Sequence, residues 1–126
     1  MLIISFAWTT AALLAGAKSC TRRNWDDDYA WKFKAGMDVQ GYDRGPRVGG
    51  RQVAIVRLIA APYLERTGVM PERDYASEGL LWMEKKGIKI RGMEPREFWE
   101  KWKAADELVY VVRFQLMSVV SGSISE

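Results

Sequence analysis

The side chains most suited to chemistry lie in residues 14–25, whose sequence reads LAGAKSCTRRNW. Residues 18–23 bring two hydroxyls, one thiol and three cationic groups into six consecutive positions. Burying such charges costs several kcal/mol unless each is paired, so a core strand would not select them. Lysine, threonine and cysteine can serve as bases or nucleophiles, and arginine can bind an oxyanion or a phosphate. The segment therefore predicts a functional site.

The backbone that carries these side chains decides which of them meet. Residues 11–17 have the length and composition of a short helix, and Gly16 suits its left-handed C-cap. An extended segment should follow, in which residues 18, 20 and 22 share one face and residues 19, 21 and 23 share the other. A turn at Lys18 would let Lys18 and Thr21 converge.

The absence of histidine narrows the chemistry. Histidine is the commonest metal ligand and general base, so a zinc site or a Ser-His-Asp triad is not expected. Any catalysis must use Lys, Asp, Glu, Thr, Ser, Cys or Tyr, and we predict no metal and no cofactor. The single cysteine, Cys20, excludes an internal disulfide and fits a reducing compartment. A buried structural role is favoured for this thiol over that of a rival nucleophile.

Charge and the N-terminal segment bear on partners and location. A net charge of +3 and a pI near 9.1 permit a nucleic-acid or nucleotide partner without demanding one. Residues 1–20 could be mistaken for a lipoprotein signal ending at Cys20, but no cation precedes the apolar run and Lys18 lies two residues before the cysteine. The run is also too short to span a bilayer. We expect a cytoplasmic protein without membrane association; a signal peptide is the alternative.

Hydrophobic patterns and turn residues predict an α+β domain over residues 1–118, with a polar tail at residues 119–126. Hairpin-joined strands with inserted helices favour a small mixed β-barrel of five to six strands with short flanking helices. We expect strands at residues 2–6, 20–22, 39–42, 52–61 and 108–117, and helices at 11–17, 27–33, 71–86 (with a possible break at Gly79) and 94–105. The predicted core contains Ile4, Phe6, Val53, Ile55, Val56, Val109, Val111 and Phe114.

Two further features are candidates for nucleic-acid contacts. Residues 43–51, DRGPRVGGR, form a predicted hairpin loop that is either a solvated turn or a binding loop using Arg44 and Arg47. Trp25 follows the basic block and can stack on a base. Trp31 can do the same, although core packing is favoured for it. The other four tryptophans lie in or beside apolar segments and are assigned to the core: Trp8, Trp82, Trp99 and Trp102.

In the order of several short motifs, the chain resembles the ASCH domain family, a group of small β-barrels related to the RNA-binding PUA domains. The family pattern is an L-x-G-x-K-x-x-T-x-R block, an F-K-x-G-D turn and a helix with an acid followed by glycine. These correspond here to residues 14–23, to residues 33–38 with Met37 inserted before the aspartate, and to Glu78-Gly79. Residues 3–6 and the closing strand extend the resemblance over nearly the whole chain.

The resemblance implies an activity for some members and none for others. Some ASCH proteins are amidohydrolases that remove the acetyl group from N4-acetylcytidine with a Lys, a Thr three residues later and a Glu on a later helix. Those residue types fall here on Lys18, Thr21 and Glu78. Other members are reported or suspected to bind or cut RNA, and many have no assigned activity, so the fold alone does not decide function.

The residue types also allow a mechanism without histidine. Thr21 can attack an amide if Lys18 is neutral, and neighbouring arginines would lower the pKa of that lysine. Glu78 can bind the cytosine edge and help to protonate the leaving amine, while Arg22 or Arg23 holds an oxyanion or a phosphate. The plain structural alternative is that Lys18 and Arg23 are exposed and that Glu78 only pairs with one of them.

Three functions stay open at this point. The first is hydrolysis of an N4-acylated cytidine in a nucleoside pocket. The second is a non-catalytic module that binds RNA or modified nucleic acid, and the third is a protein-interaction domain with a vestigial pocket.

Overall fold

The computed structural model describes residues 1–120. Residues 121–126, most of the predicted polar tail, lie outside the described part. The described residues form six strands and five helices: β1 (Ile3–Ser5), α1 (Thr10–Leu14), β2 (Cys20–Arg23), α2 (Asp27–Ala30), β3 (Asp38–Tyr42), β4 (Gln52–Leu58), β5 (Tyr63–Arg66), α3 (Arg73–Ser77), α4 (Leu80–Lys86), α5 (Pro95–Ala105) and β6 (Leu108–Val119). Short 3-10 turns occupy Ala7–Thr9, Pro46–Val48 and Thr67–Val69.

The six strands form one curled, half-barrel sheet, which confirms the predicted α+β class. The strand order is β1-β3-β4-β6-β2, with β5 also paired to β6. Strand β6 is long enough to serve two groups of strands: its first half pairs with β2 and β5, and its second half pairs with β4. Strands β1 and β2 end the order, and the Arg23 guanidinium on β2 donates to the Ser5 carbonyl on β1.

The core of the sheet agrees with the predicted one except at a single position. Seven of the eight predicted residues are buried, whereas Ile55 is half-buried. Along β4 the side chains of Ala54, Val56 and Leu58 alternate into the core, so Ile55 faces the other way. Arg57 on that second face is exposed, as is Ile59 directly after the strand, so this part of β4 is covered on one side only.

The helix predicted at residues 71–86 is divided into α3 and α4 by Gly79. This glycine has φ +93°, the left-handed region where a Cβ is unfavourable. A Cβ on Gly79 would also lie 2.8 Å from the Cβ of Ala12 on α1. The break ends α3 at the position where Glu78 can turn toward β2.

Strand β5 is absent from the sequence-based prediction, which has no element between the strand at residues 52–61 and the helix at 71–86. Its side chains are largely exposed, and the strand exists through its pairing with β6.

Nothing in the described helices has both the length and the apolar character needed to cross a membrane.

Candidate active site around Lys18 and Glu78

A buried ion pair joins the segment before β2 to the end of α3. The Nζ of Lys18 lies 3.1 Å from Oε1 of Glu78 and donates to the Glu78 carbonyl at 2.8 Å. The two residues are only 3% and 4% exposed. A second link, from Ser19 N–H to the Ser77 carbonyl at 2.8 Å, holds the same two segments together. Lys18 is therefore not the exposed side chain of the plain structural alternative.

Arg22 extends this pair into a network of alternating charges. Its Nη1 donates to Oε2 of Glu78 at 2.8 Å, and its Nη2 donates to Asp74 at 2.5 Å and to Glu65 at 2.6 Å. Asp74 also accepts two hydrogen bonds from Arg113, at 3.0 and 2.7 Å. Arg22 thus faces three carboxylates, which neutralise its charge and leave it occupied with structural contacts.

The residues of this network that sequence reasoning missed are Glu65, Asp74 and Arg113. One signal was present, because Asp74 and Glu78 are four residues apart and residues at that spacing share a helix face. Arg113 lies opposite Cys20 in the β2–β6 register, and Glu65 belongs to the unpredicted strand β5. Those two positions depended on strand pairing, which no local pattern reveals.

A cavity of about 210 Å³ opens beside the ion pair. Lys18, Thr21 and Glu78, the three predicted catalytic residues, all line it. Thr21 is itself buried, at 1% exposure. The other lining residues are Ser5, Phe6, Ala7, Trp8, Thr9, Arg22, Arg23, Phe98 and Trp102.

The aromatic wall of the cavity differs from expectation. The sequence pattern assigns Trp8 and Trp102 to the core, but both line the cavity, and Trp8 is 42% exposed. Phe98 lies between them, with ring centroids 5.0 Å from Trp8 and 5.7 Å from Trp102. The spacing of Phe98 and Trp102 on α5 predicts a packing face, and it does not distinguish a cavity wall from a core because both have the same helical periodicity.

Arg23 differs from Arg22 in its partners. Its guanidinium donates to the carbonyls of Arg22 and Ser5, and within the described residues we find no carboxylate that forms an ion pair with it. It also lies 5.9 Å from the centroid of the Phe6 ring. Arg23 therefore brings a positive charge to the cavity that its protein contacts do not neutralise.

Burial and neighbouring charges shift the pKa values of the two candidate reactive groups in opposite directions. Burial lowers the pKa of Lys18; the Glu78 carboxylate opposes this shift, and Arg23 adds to it. Of the two arginines expected to act on the lysine, Arg23 is the one that does, because the charge of Arg22 is met by its own carboxylates. Burial and the nearby Glu78 raise the pKa of the Cys20 thiol to about 12. Cys20 is therefore a thiol, not a thiolate, at neutral pH.

The remaining predicted binding residues lie away from the cavity lining. Trp25 stacks on Phe33 with centroids 4.4 Å apart and packs against the core, so one face of its ring is taken. Arg44 and Arg47 are exposed on the β3–β4 hairpin. Trp31 is 78% exposed, which contradicts the core role favoured for it.

Among the described residues, no group of three or more His, Cys, Asp or Glu side chains is arranged to hold a metal ion.

Comparison with known proteins shows a similarity of fold. No family model matches the sequence, and no curated protein matches it. The structure is similar to the crystal structure of a protein from Enterococcus faecalis assigned to the family DUF984, with 14% sequence identity and a TM-score of 0.57. The match covers 95% of this chain and 76% of the other. At this identity the similarity concerns the fold alone, and it supports the α+β architecture that places Lys18 beside Glu78.

Proposed function

We propose that this protein is an amidohydrolase that removes the acyl group from an N4-acylated cytidine, with Lys18, Thr21 and Glu78 as the reacting and supporting groups. The observation that carries the proposal is that these three side chains line one cavity, with Lys18 paired to Glu78 at 3.1 Å. The resemblance to the ASCH amidohydrolases selects the same residues. The proposal thus has two supports, one geometric and one from sequence motifs.

The chemistry begins with a neutral Lys18, which burial favours because it disfavours the charged form. The amine takes a proton from Thr21 Oγ1 or from a water molecule, and that oxygen attacks the amide carbon. The C–N bond then breaks, and the Lys18 ammonium returns the proton to the leaving cytidine nitrogen. If Thr21 attacks, the resulting ester is hydrolysed by water through the same lysine, which releases a carboxylic acid and restores the hydroxyl.

Glu78 acts mainly on Lys18 in this scheme. Each of its two carboxylate oxygens already accepts a hydrogen bond, Oε1 from the Lys18 amine and Oε2 from the Arg22 guanidinium. The carboxylate orients the lysine and stabilises the ammonium that forms during attack. The predicted contact of Glu78 with the cytosine edge is not part of this scheme, because both carboxylate oxygens already have partners.

The size and walls of the cavity suit a small planar substrate. Pockets for drug-sized ligands measure about 300–1,000 Å³, which is larger than the cavity of about 210 Å³. A nucleobase with a short acyl group is the scale of ligand that such a cavity accommodates. Trp8 and Phe98 offer aromatic surface to a base, which stacks favourably on such rings.

The test is turnover of N4-acetylcytidine by the purified protein and by Lys18→Arg, Thr21→Val and Lys86→Arg. Lys18→Arg should abolish turnover, because guanidinium stays protonated and cannot accept the proton. Thr21→Val keeps the shape of the side chain and should abolish turnover if the hydroxyl attacks. The exposed Lys86→Arg is the matched control and should keep full activity. Full activity of Lys18→Arg would show that Lys18 supplies only charge.

A truncation to alanine is less informative at Lys18 than the change to arginine. Because Lys18 is buried against Glu78, Lys18→Ala leaves part of a buried carboxylate uncompensated, and breaking such pairs costs about 3–5 kcal/mol. Loss of folding would then be confused with loss of chemistry. Thermal unfolding of every variant should accompany the assay.

The second candidate is a module that binds RNA through the exposed hairpin. One observation favours it, namely that the hairpin starts next to the cavity. The N–H of Phe6, which lines the cavity, donates to the carbonyl of Tyr42, and the hairpin begins directly after Tyr42. If Arg44 and Arg47 bind phosphates, each alanine variant should reduce the salt slope of binding by roughly 0.7–0.9 for each phosphate that is no longer neutralised. Absence of turnover together with salt-dependent RNA binding would favour this module over the enzyme.

A further inference from the structure

Three basic residues and one acidic residue line the cavity: Lys18, Arg22 and Arg23, against Glu78. Lys18 and Arg22 are both paired with Glu78, and Arg22 is further held by Asp74 and Glu65. The positive charge that remains available therefore belongs to Arg23. A cavity with an excess of positive charge should attract anions, and its low-dielectric walls strengthen the attraction.

Hydrogen-bonding capacity also selects Arg23, not Arg22, as the residue that can bind an anion. A guanidinium has five N–H donors. Both terminal nitrogens of Arg22 have carboxylate partners, and its Nε, which has no partner in the described part of the chain, is inaccessible to solvent. Arg23 uses single bonds to two backbone carbonyls, those of Arg22 and Ser5. Those bonds fix its orientation and leave donors for a ligand.

We propose that Arg23 forms a carboxylate-binding subsite in the cavity, which holds the acid released from the acyl group and makes short carboxylates inhibitors of the protein. The proposal rests on the proposed function for the origin of the carboxylate. Binding itself needs only the anion and the arginine. Arginine matches the planar, two-oxygen geometry of a carboxylate better than lysine does.

The experiment measures acetate binding separately from turnover. The unfolding midpoint of the whole protein is followed while sodium acetate replaces sodium chloride at constant ionic strength, and ¹³C-acetate line broadening is recorded by NMR. A ligand that binds the native state raises the midpoint in a saturable way. Arg23→Gln should weaken acetate binding by about tenfold or more, as expected for loss of a charge-assisted hydrogen bond. The exposed Arg73→Gln is the matched control and should bind acetate like the original protein.

Several results would overturn the subsite. They are absence of saturable acetate binding, equal binding by Arg23→Gln, and stabilisation by inorganic phosphate or cytidine monophosphate without any effect of acetate. Should Arg23→Gln fail to fold, Arg23→Lys retains the charge and should bind acetate measurably but more weakly than the original protein. Acetate binding without turnover of any acylcytidine would reject the proposed function and keep the subsite. Turnover without inhibition by acetate would keep the proposed function and reject the subsite.

Discussion

Lys18 and Glu78 lie 60 residues apart in the chain and form one buried pair, with Nζ 2.8 Å from the Glu78 carbonyl and 3.1 Å from its carboxylate. The carbonyl contact depends on α3 ending at Glu78, and the carboxylate contact depends on the side chain turning toward β2. The left-handed Gly79, directly after Glu78, separates α3 from α4. The candidate base is therefore positioned by backbone as well as by charge.

The pH dependence of turnover should report Lys18. Because burial lowers its pKa, kcat/KM should rise with pH to a plateau through an apparent pKa below the ordinary lysine value of about 10.4. The rise occurs because the neutral amine is the active form. A pH–rate profile for N4-acetylcytidine hydrolysis checks this. An apparent pKa at or above that of free lysine would contradict the assignment.

Asp74→Asn should destabilise the fold at neutral pH by about 3–5 kcal/mol, because Arg22 and Arg113 would lose a carboxylate partner in a buried site. Burial alone would raise the pKa of Asp74, but hydrogen bonds from Arg113 and Arg22 outweigh it and lower the pKa. The stabilisation is thus fully present above the ordinary aspartate value of about 3.9 and is lost as pH falls toward the native pKa.

Urea unfolding at a series of pH values measures this effect. The difference between the original protein and Asp74→Asn should shrink below about pH 4. Asp38→Asn removes a carboxylate from an exposed pair with Arg57 and is the matched control, with a much smaller loss expected. Equal losses for the two variants would show that the buried network adds little.

Gly79→Ala should destabilise the protein more than Gly87→Ala. Both glycines have positive φ, at +93° and +71°, so both alanines incur a backbone cost of roughly 1–2 kcal/mol. Only the Cβ at position 79 also meets another atom, the Cβ of Ala12 at 2.8 Å, whereas nothing lies within 4 Å at position 87. Overpacking of this kind adds about 1–3 kcal/mol. Chemical denaturation measures the free energy of unfolding of both variants. Equal losses would show that the contact with Ala12 adds no cost.

Cys20 should resist alkylation in the native protein. It is fully buried, and its pKa of about 12 leaves almost no thiolate at pH 8. Iodoacetamide labelling followed by mass spectrometry should show no rapid modification until the chain is unfolded, after which the one thiol reacts. Rapid labelling of the folded protein would mean that the thiol is reachable from the cavity.

Periodicity was sufficient for much of the fold. The alternation in residues 52–58 and 108–117 and the aromatic spacing near Trp99 predicted the long strands and α5, because burial of one face leaves a periodic record in the chain. Strand β5 left no such record, since its side chains are mostly exposed and its existence depends on β6.

For the candidate site, residue types alone define which chemistry is available: no histidine, one thiol, and lysine, threonine and arginine close together. The resemblance to the ASCH family added the prediction that Lys18, Thr21 and Glu78 act together. The folded structure was needed to show that Lys18 is buried, that Arg22 is neutralised while Arg23 is not, and that Trp8 faces a cavity. The reason is that burial and ion pairing are properties of contacts between distant segments, and local residue order does not specify which segments meet.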